Sequence, residues 1–386
     1  MRGAPPAPKP FPKRRPTMPE MPEKALPPGS TIGILGGGQL GRMLSMAAAK
    51  LGFNCRVYCE KPDAPAFETV ADHICAPYQD LDAIRRFAQG CDVVTFEFEN
   101  VPLETAAAAC AEAPVRPGAR ALEVSQDRLN EKTFLAGLGI PVAPHRAIAT
   151  PADLRDAVAA LGADSLLKTR RFGYDGKGQQ RLDSQSDLEA AFAALEGAPA
   201  ILEGYVAFEC ELSIVAVRGM DGAFAAYDVV RNVHEHQILA RSQVPAGISG
   251  DCSRQAVAIA RAVADALDYV GVFCVELFHC GSDASEQLLA NEIAPRVHNS
   301  GHWTLEACHV SQFENHVRAI AGWPLGSCER HSDAVMTNLI GPACEKWHAL
   351  AADPAVSLHL YGKKEARPGR KMGHYTRLSP RTPRSP

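Results

Sequence analysis

Residues 31–43 read TIGILGGGQLGRM: a short apolar run, then Gly36-x-Gly38-x-x-Gly41, then a helix-forming stretch. No other stretch constrains the fold so tightly. A buried strand must turn at once into a helix, and glycines permit that turn while leaving helix N-terminal N–H groups facing an anion. The spacing is that of a dinucleotide-binding βαβ unit. Glu60, after the strand-like run CRVYC, even stands about where a ribose-binding acid would. On this stretch alone two occupants stay open, a dinucleotide or another anionic ligand.

From Thr31 onward strand-like runs (TIGILG, CRVYC, DVVTFEFE) alternate with helix-like ones (GRMLSMAAAKLG, closed by Gly52, and LDAIRRFAQG). That alternation predicts a parallel, Rossmann-like sheet covered by helices. Ser125 is a plausible cap for a helix from about Gln126 to Gly139-Ile140-Pro141. Past Pro141 the pattern changes. SLLKT, AILEGYV, ELSIVAVRG, VGVFCVELF and EQLLANEIAP are strand-like runs between polar turns, around one amphipathic helix, RQAVAIARAVADAL. This is an α+β layout with antiparallel strands. VMTNLIG, VSLHLYG and the basic run KKEARPGRKMGH close the chain, and no internal repeat is present.

The 386 residues suffice for two or three domains. A formal net charge of −4 gives no global basic surface for nucleic acid, and no apolar run approaches the ~18–20 residues of a membrane helix. The 12 cysteines form no Cys-x-x-Cys pair. Their strand-like contexts, as at Cys55, Cys59, Cys91 and Cys274, suit reduced structural thiols. Residues 1–29 are rich in proline and basic side chains and read as a disordered tail. Its Lys13-Arg14-Arg15 cluster reads as a solvated tail or a weak interaction patch, with Met18 and Met21 as alternative starts.

Four stretches carry chemistry. Lys168, on a strand, precedes a flexible turn with Gly173, Gly176, Lys177 and Gly178. Backbone N–H groups and ammonium groups there suit a polyphosphate, although no Walker A spacing occurs; a plain surface loop is the alternative. Glu276 and Glu292 each lie among apolar strand residues, with Asn291 beside the second. Carboxylates so placed need a partner or a cation, and Mg²⁺ fits them, unless both face solvent. Arg296, His298, Asn299 and His302 crowd the turn after Glu292 and suit an anion or acyl phosphate. Lys363, Arg370 and Lys371 suit a phosphate monoester or form a solvated charge run.

In this order the stretches resemble the ATP-grasp superfamily and, more narrowly, its N5-carboxyaminoimidazole ribonucleotide synthetase family. The resemblance runs from about Thr31 to Thr376 through GGGQLGRM, TFEFENVP, DRLNEKTFL, FGYDGKGQ, VELF, NEIAPR-HNSGHWT, SQFENH-RA and RPGRKMGH. It implies an N-terminal α/β substrate-binding domain (30–126), an ATP-grasp domain (127–325) with a small lid (about 143–205), and a small C-terminal domain (326–380) completing the ribonucleotide site. It implies ATP held by Arg128, Lys168, Gly173, Tyr174, Asp175, Gly176, Lys177, Gly178 and Gln179 at the phosphates. Glu203, Gly204, Tyr205 and Val206 would lie at the adenine edge, with Glu211, His234, Asn291 and Glu292 completing that site. It implies Mg²⁺, or Mn²⁺, on Glu276 and Glu292, and the ribonucleotide on Gln39, Leu40, Glu97, Asn299, Lys363, Arg370 and Lys371. Arg296, Lys168 and His298 would serve the chemistry, with Arg296 on carboxyphosphate.

The implied activity is ATP- and bicarbonate-dependent carboxylation of 5-aminoimidazole ribonucleotide in purine biosynthesis, by a cytoplasmic homodimer using neither NAD nor flavin. Formate-dependent glycinamide ribonucleotide formyltransferase is the neighbouring alternative. A dinucleotide-dependent oxidoreductase and a non-catalytic nucleotide-binding scaffold are the distant ones. Two departures from the family pattern concern turns: Val297 stands where proline is usual, and His236-Gln237 where a glycine is.

Overall fold

The computed structural model describes residues 25–173, 178–281 and 286–382, and among these the strands form three sheets. The first holds β1 (Thr31–Leu35), β2 (Asn54–Tyr58), β3 (Asp72–Ile74) and β4 (Val93–Phe96) in the order β3-β2-β1-β4. Every pairing is parallel. Helices α1 (Gln39–Lys50), α2 (Leu81–Ala88), α3 (Leu103–Cys110) and α4 (Ala119–Ser125) accompany it. Ile32, Ile34 and Leu35 are almost wholly buried, as strands covered on both faces require. The strand order reverses at β1, which puts the crevice for a ligand at its C-terminal end.

Helix α5 (Arg128–Gly137) begins two residues later than the sequence suggested. Asp127 caps it, accepting from the N–H groups of Leu129 and Asn130. Ser125 instead donates to the Ala121 carbonyl at 2.8 Å within α4, because the chain bends between two helices at this point.

The second sheet is a small antiparallel unit, β5-β8-β6-β7, built from β5 (His145–Ile148), β6 (Ser165–Thr169), β7 (Gln179–Leu182) and β8 (Ala200–Gly204). With α6 (Pro151–Leu161) and α7 (Leu188–Ala193) it encloses its own core of Ile148, Leu154, Leu167, Leu182 and Leu202. A capping box between Thr150 and Asp153 starts α6.

The third sheet is nine-stranded. It comprises β9 (Cys210–Arg218), β10 (Phe224–Ala226), β11 (Val230–Glu235), β12 (Ile238–Val244), β13 (Gly271–Cys280), β14 (Gln287–Ala294), β15 (Ser332–Ile340), β16 (Val356–Leu360) and β17 (Lys371–Pro380). Their order is β14-β13-β9-β11-β12-β15-β17-β16, with β10 on β9, all antiparallel. The β12–β15 pairing, Arg241 opposite Thr337, joins the C-terminal strands to the central ones as one slab. Helices α8 (Gly250–Ala266), α9 (Thr304–Ala307) and α10 (Gln312–Ile320) complete this layer. One core joins Leu40 and Leu44 of α1 to Val272, Trp303 and Phe313, locking the first sheet against the third.

Candidate active site

The glycine turn after β1 is filled from inside the protein. Glu97, just past β4, accepts from the Gly38 N–H and, at 2.6 Å, from the Gly41 N–H. A Cβ on Gly36, where φ is +119°, would collide with the Glu97 Cγ, and one on Gly38 would stand 2.7 Å from its carboxylate. The glycines therefore make room for this side chain. Burial raises the Glu97 pKa above the carboxylate range, offset in part by the two N–H donors. A carboxylate in this turn occupies the place a dinucleotide pyrophosphate needs. Gln39 and Leu40 still line the cavity beside it, and Glu60, read from sequence as a possible ribose acid, is exposed.

The cavity measures about 830 Å³ and lies where the three sheets converge. Glu276 on β13 stands directly opposite Glu292 on β14, and the register shifts just beyond Glu276. Burial and then the Glu292 charge push the Glu276 pKa well up. Glu131 on α5 completes the cluster. Burial and the Glu292 charge raise it to about 8, although its Oε1 accepts from the Ile293 N–H at 2.6 Å. Arg128 reaches Glu292 at 3.4 Å and the Gly173 carbonyl at 3.2 Å. Hard oxygen donors carrying excess negative charge in a confined wall fit a Mg²⁺-type cation.

Arg296 lines the same wall, and Glu99 holds it at 2.6 Å. Burial opposes its charge, but the Glu99 carboxylate outweighs burial and keeps the guanidinium charged. Glu99 itself is drawn below the carboxylate range: burial opposes ionisation and Arg296 prevails. His298, 3.2 Å from Glu276, is driven well below the usual histidine range by burial and the Arg296 charge, so it is neutral. Asn299 exchanges hydrogen bonds of 3.0 and 2.7 Å with Asn338 on β15. His302 is fully buried, accepts from Gln312 at 3.1 Å and does not line the cavity.

The small sheet contributes Lys168, whose ammonium lies 2.9 Å from Glu203. Burial lowers the Lys168 pKa, opposed by Glu203. Burial also works against the Glu203 charge, yet Lys132, 3.6 Å away, and Lys168 together hold it at about 2. The second Glu203 oxygen is buried without a partner. Glu211 binds His234; burial works against the imidazolium, and the Glu211 hydrogen bond and charge raise its pKa overall. Gln179 lines the cavity and bonds Gln237 at 3.1 Å. His236 and Gln237 both have positive φ, where the family glycine would sit without strain.

The sequence-predicted residues are not all brought together. Gln39, Leu40, Glu97, Arg128, Lys168, Gly173, Gln179, Glu211, His234, Glu276, Asn291, Glu292, Arg296, His298, Asn299 and Lys371 line one cavity. Gly178, Glu203, Gly204, Tyr205 and Val206 lie outside its lining, and Tyr205 is exposed beneath the Arg181 guanidinium. Lys363 donates to the Lys371 carbonyl at 2.7 Å and Arg370 to the Glu365 carbonyl at 3.1 Å. Tyr174, Asp175, Gly176 and Lys177 lie outside the described residues. Sequence reasoning missed Glu99, Glu131 and Lys132. The signal for Glu131 and Lys132 was available: at helical spacing they share the buried stripe of Leu135.

All twelve cysteines are free, and among the described residues no helix is long and apolar enough to cross a membrane. Family models match in three consecutive segments. They are a ribonucleotide synthetase preATP-grasp domain (residues 30–126), an ATP-grasp domain (133–313) and a phosphoribosylaminoimidazole carboxylase C-terminal domain (334–384). An N5-carboxyaminoimidazole ribonucleotide synthase of Brucella melitensis is 51% identical over 364 residues, covering 94% of this chain and all of the relative. A solved ADP complex of an N5-carboxyaminoimidazole ribonucleotide synthetase superposes with a TM-score of 0.89 at 40% identity, covering 92% of this chain and 94% of the other. An Aspergillus clavatus enzyme, solved with ADP and 5-aminoimidazole ribonucleotide, gives 0.85 at 34% identity, with coverages of 92% and 94%.

Proposed function

We propose a residue-level mechanism from one premise: the chain belongs to the N5-carboxyaminoimidazole ribonucleotide synthase family. It is an ATP-dependent ligase that carboxylates 5-aminoimidazole ribonucleotide to the N5-carboxy product in purine biosynthesis. One observation carries the detailed reading. The opposed carboxylates of Glu276 and Glu292 share a single cavity with the glycine-turn residues Gln39 and Leu40 and with Lys371. A phosphate donor and a ribonucleotide can therefore meet in one enclosure.

ATP lies between the small sheet and the central slab, with Arg128 and Lys168 at its phosphates and Glu203 at the adenine edge. Glu276 and Glu292, with Asn291 beside the second, would hold Mg²⁺, or Mn²⁺, which would offset charge on the phosphates. Bicarbonate is the second substrate. Its oxygen attacks the γ-phosphorus, the bond to the β-phosphate oxygen breaks, and ADP departs, leaving carboxyphosphate. Arg296, kept cationic by Glu99, binds this anion, and His298 beside it serves the chemistry. The exocyclic amine then attacks the carboxyl carbon and phosphate leaves. Gln39, Leu40, Glu97, Asn299, Lys363, Arg370 and Lys371 hold the ribonucleotide. The small sheet closes over the intermediate and excludes water.

The enzyme works as a cytoplasmic homodimer. ADP release should require both 5-aminoimidazole ribonucleotide and bicarbonate; turnover with formate and glycinamide ribonucleotide instead would overturn the substrate assignment. Light scattering tests the dimer, and a monomeric mass in active solution would remove it.

A further inference from the structure

A line of polar side chains runs sideways through the central slab to His298, and none of its members before His298 enters the mechanism above. Ser242 on β12 donates to the Asn232 amide oxygen on β11 at 2.8 Å. The Asn232 amide donates to Ser213 on β9 at 3.0 Å, and Ser213 donates to Ser300 at 2.7 Å. Ser300 lies 2.8 Å from His298 Nδ1. Ser213, Ser242 and Ser300 are completely buried, and Asn232 is 5% exposed. The strands supply these positions in register: Asn232 faces Ser242, and Ser213 faces Glu276.

One end of the line has a fixed direction. The backbone N–H of Ser300 points at His298 Nδ1 at 3.4 Å, so the imidazole caps the short 3-10 turn Asn299–Gly301. A backbone N–H can only donate, so Nδ1 is an acceptor and the ring proton of the neutral imidazole sits on Nε2. The Ser300 hydroxyl then donates to Nδ1 as well, which obliges it to accept from Ser213. The same logic passes back to Asn232 and Ser242 with every donor and acceptor matched. At the far end, Nε2 lies 3.2 Å from the Glu276 carboxylate, close enough for its proton to steer that group.

We propose that this one-way chain makes Ser242, Asn232, Ser213 and Ser300 positioning residues. They fix His298 as its Nε2–H tautomer and, through it, the orientation of the Glu276 carboxylate. The part that concerns Glu276 rests on the reading of that residue as a cation ligand. Ligand carboxylates held by an outer hydrogen bond keep their free oxygen aimed, and loss of such a partner costs roughly 10- to 100-fold in metal affinity.

The test reads the imidazole directly. In the full chain labelled with ¹⁵N-histidine, long-range ¹H–¹⁵N correlation separates the two tautomers without any ligand, with His298 assigned by its loss in His298→Gln. The native protein should show the Nε2–H form. Asn232→Asp offers two acceptor oxygens where the amide offered one, so Ser213 must donate to it, Ser300 to Ser213, and Nδ1 to Ser300. The tautomer should switch, and Mg²⁺ affinity in the presence of ADP should fall about 10- to 100-fold by calorimetry. Ser213→Ala, which buries no new charge, should give a mixture of tautomers, and Ser213→Thr, which restores the hydroxyl, should return the native spectrum. A native Nδ1–H form overturns the proposal, as does a spectrum unchanged in both Asn232→Asp and Ser213→Ala. A switched tautomer with undiminished Mg²⁺ affinity sustains the hydrogen-bond chain and removes Glu276 from the cation ligands.

Discussion

Glu97 and Glu276 line the same cavity and are both pressed toward their neutral forms by burial, but the fold treats them in opposite ways. Glu97 follows β4 at the mouth of α1 and accepts from two backbone N–H groups there. Its compensation is internal, and the helix N-terminus supplies it. Glu276 faces Glu292, has Glu131 close behind that residue, and lies 3.2 Å from His298, while the His234 and Lys371 charges offset its burial only in part. Its compensation must come from outside. A buried carboxylate that the chain has already satisfied shapes a pocket; one it has left in excess binds something.

The sharpest way to break that contrast is to neutralise each acid. Glu276→Gln and Glu292→Gln should each lower kcat/KM in the ADP-release assay by ~10³-fold, since a ligand to a charge-stabilising cation contributes several kcal/mol. Glu97→Gln keeps one acceptor oxygen and should cost only about tenfold, mostly in the KM for the ribonucleotide. Equal losses at the two positions would end the distinction. Next, Gly36→Ala puts a Cβ against Glu97 at a backbone angle that L side chains rarely adopt. It should lower folding stability by about 1–3 kcal/mol in thermal or urea unfolding, with the KM for ATP unchanged.

Lys363→Ala should raise the KM for the ribonucleotide roughly tenfold and leave ATP kinetics alone, having removed a charge-assisted contact; a matching loss for ATP would move that lysine to the other substrate. The smallest effect is on pH dependence. Glu276 and Glu131 have folded pKa values above the ordinary carboxylate range, about 8 for Glu131. The folded protein therefore binds more protons than the unfolded chain between about pH 4.5 and 8, and these two groups make stability fall as pH rises through that window. Apo thermal unfolding should show a decline of the order of 1 kcal/mol or more, flattened by Glu276→Gln. Mg²⁺–ADP should bind more tightly toward pH 8, because it displaces the same protons. Glu97→Gln should leave the affinity trend in place.

The contrast also marks what the sequence made readable. The strand–turn–helix at Gly36 is local, so its glycines announce it, and Glu276 and Glu292 stand out as charges inside apolar strands. What fills the turn was not legible, because Glu97 reaches Gly38 and Gly41 across 59 and 56 residues. Those bonds exist because β4 lies beside β1. The Arg296–Glu99 pair spans 197 residues and depends on how the first sheet docks on the third. Glu131 and Lys132 fell on a helix whose charged face happens to be the buried one. The start of α5 was misplaced because Ser125 and Asp127 are both good caps, and only the bend between two short helices selects the second.

The pairing of β12 with β15 has a mechanical consequence. Asn338 on β15 ties this seam to the Leu239 carbonyl at 2.8 Å and to Asn299. Lys371, which opens β17, and Glu276, on β13, are thereby mounted on one continuous plate. The span between Lys371 and Glu276 is a dimension of that plate, set when the chain folds. The small sheet is no strand of that plate and meets it through side chains such as the Gln179–Gln237 pair, so gauge and shutter are separate parts.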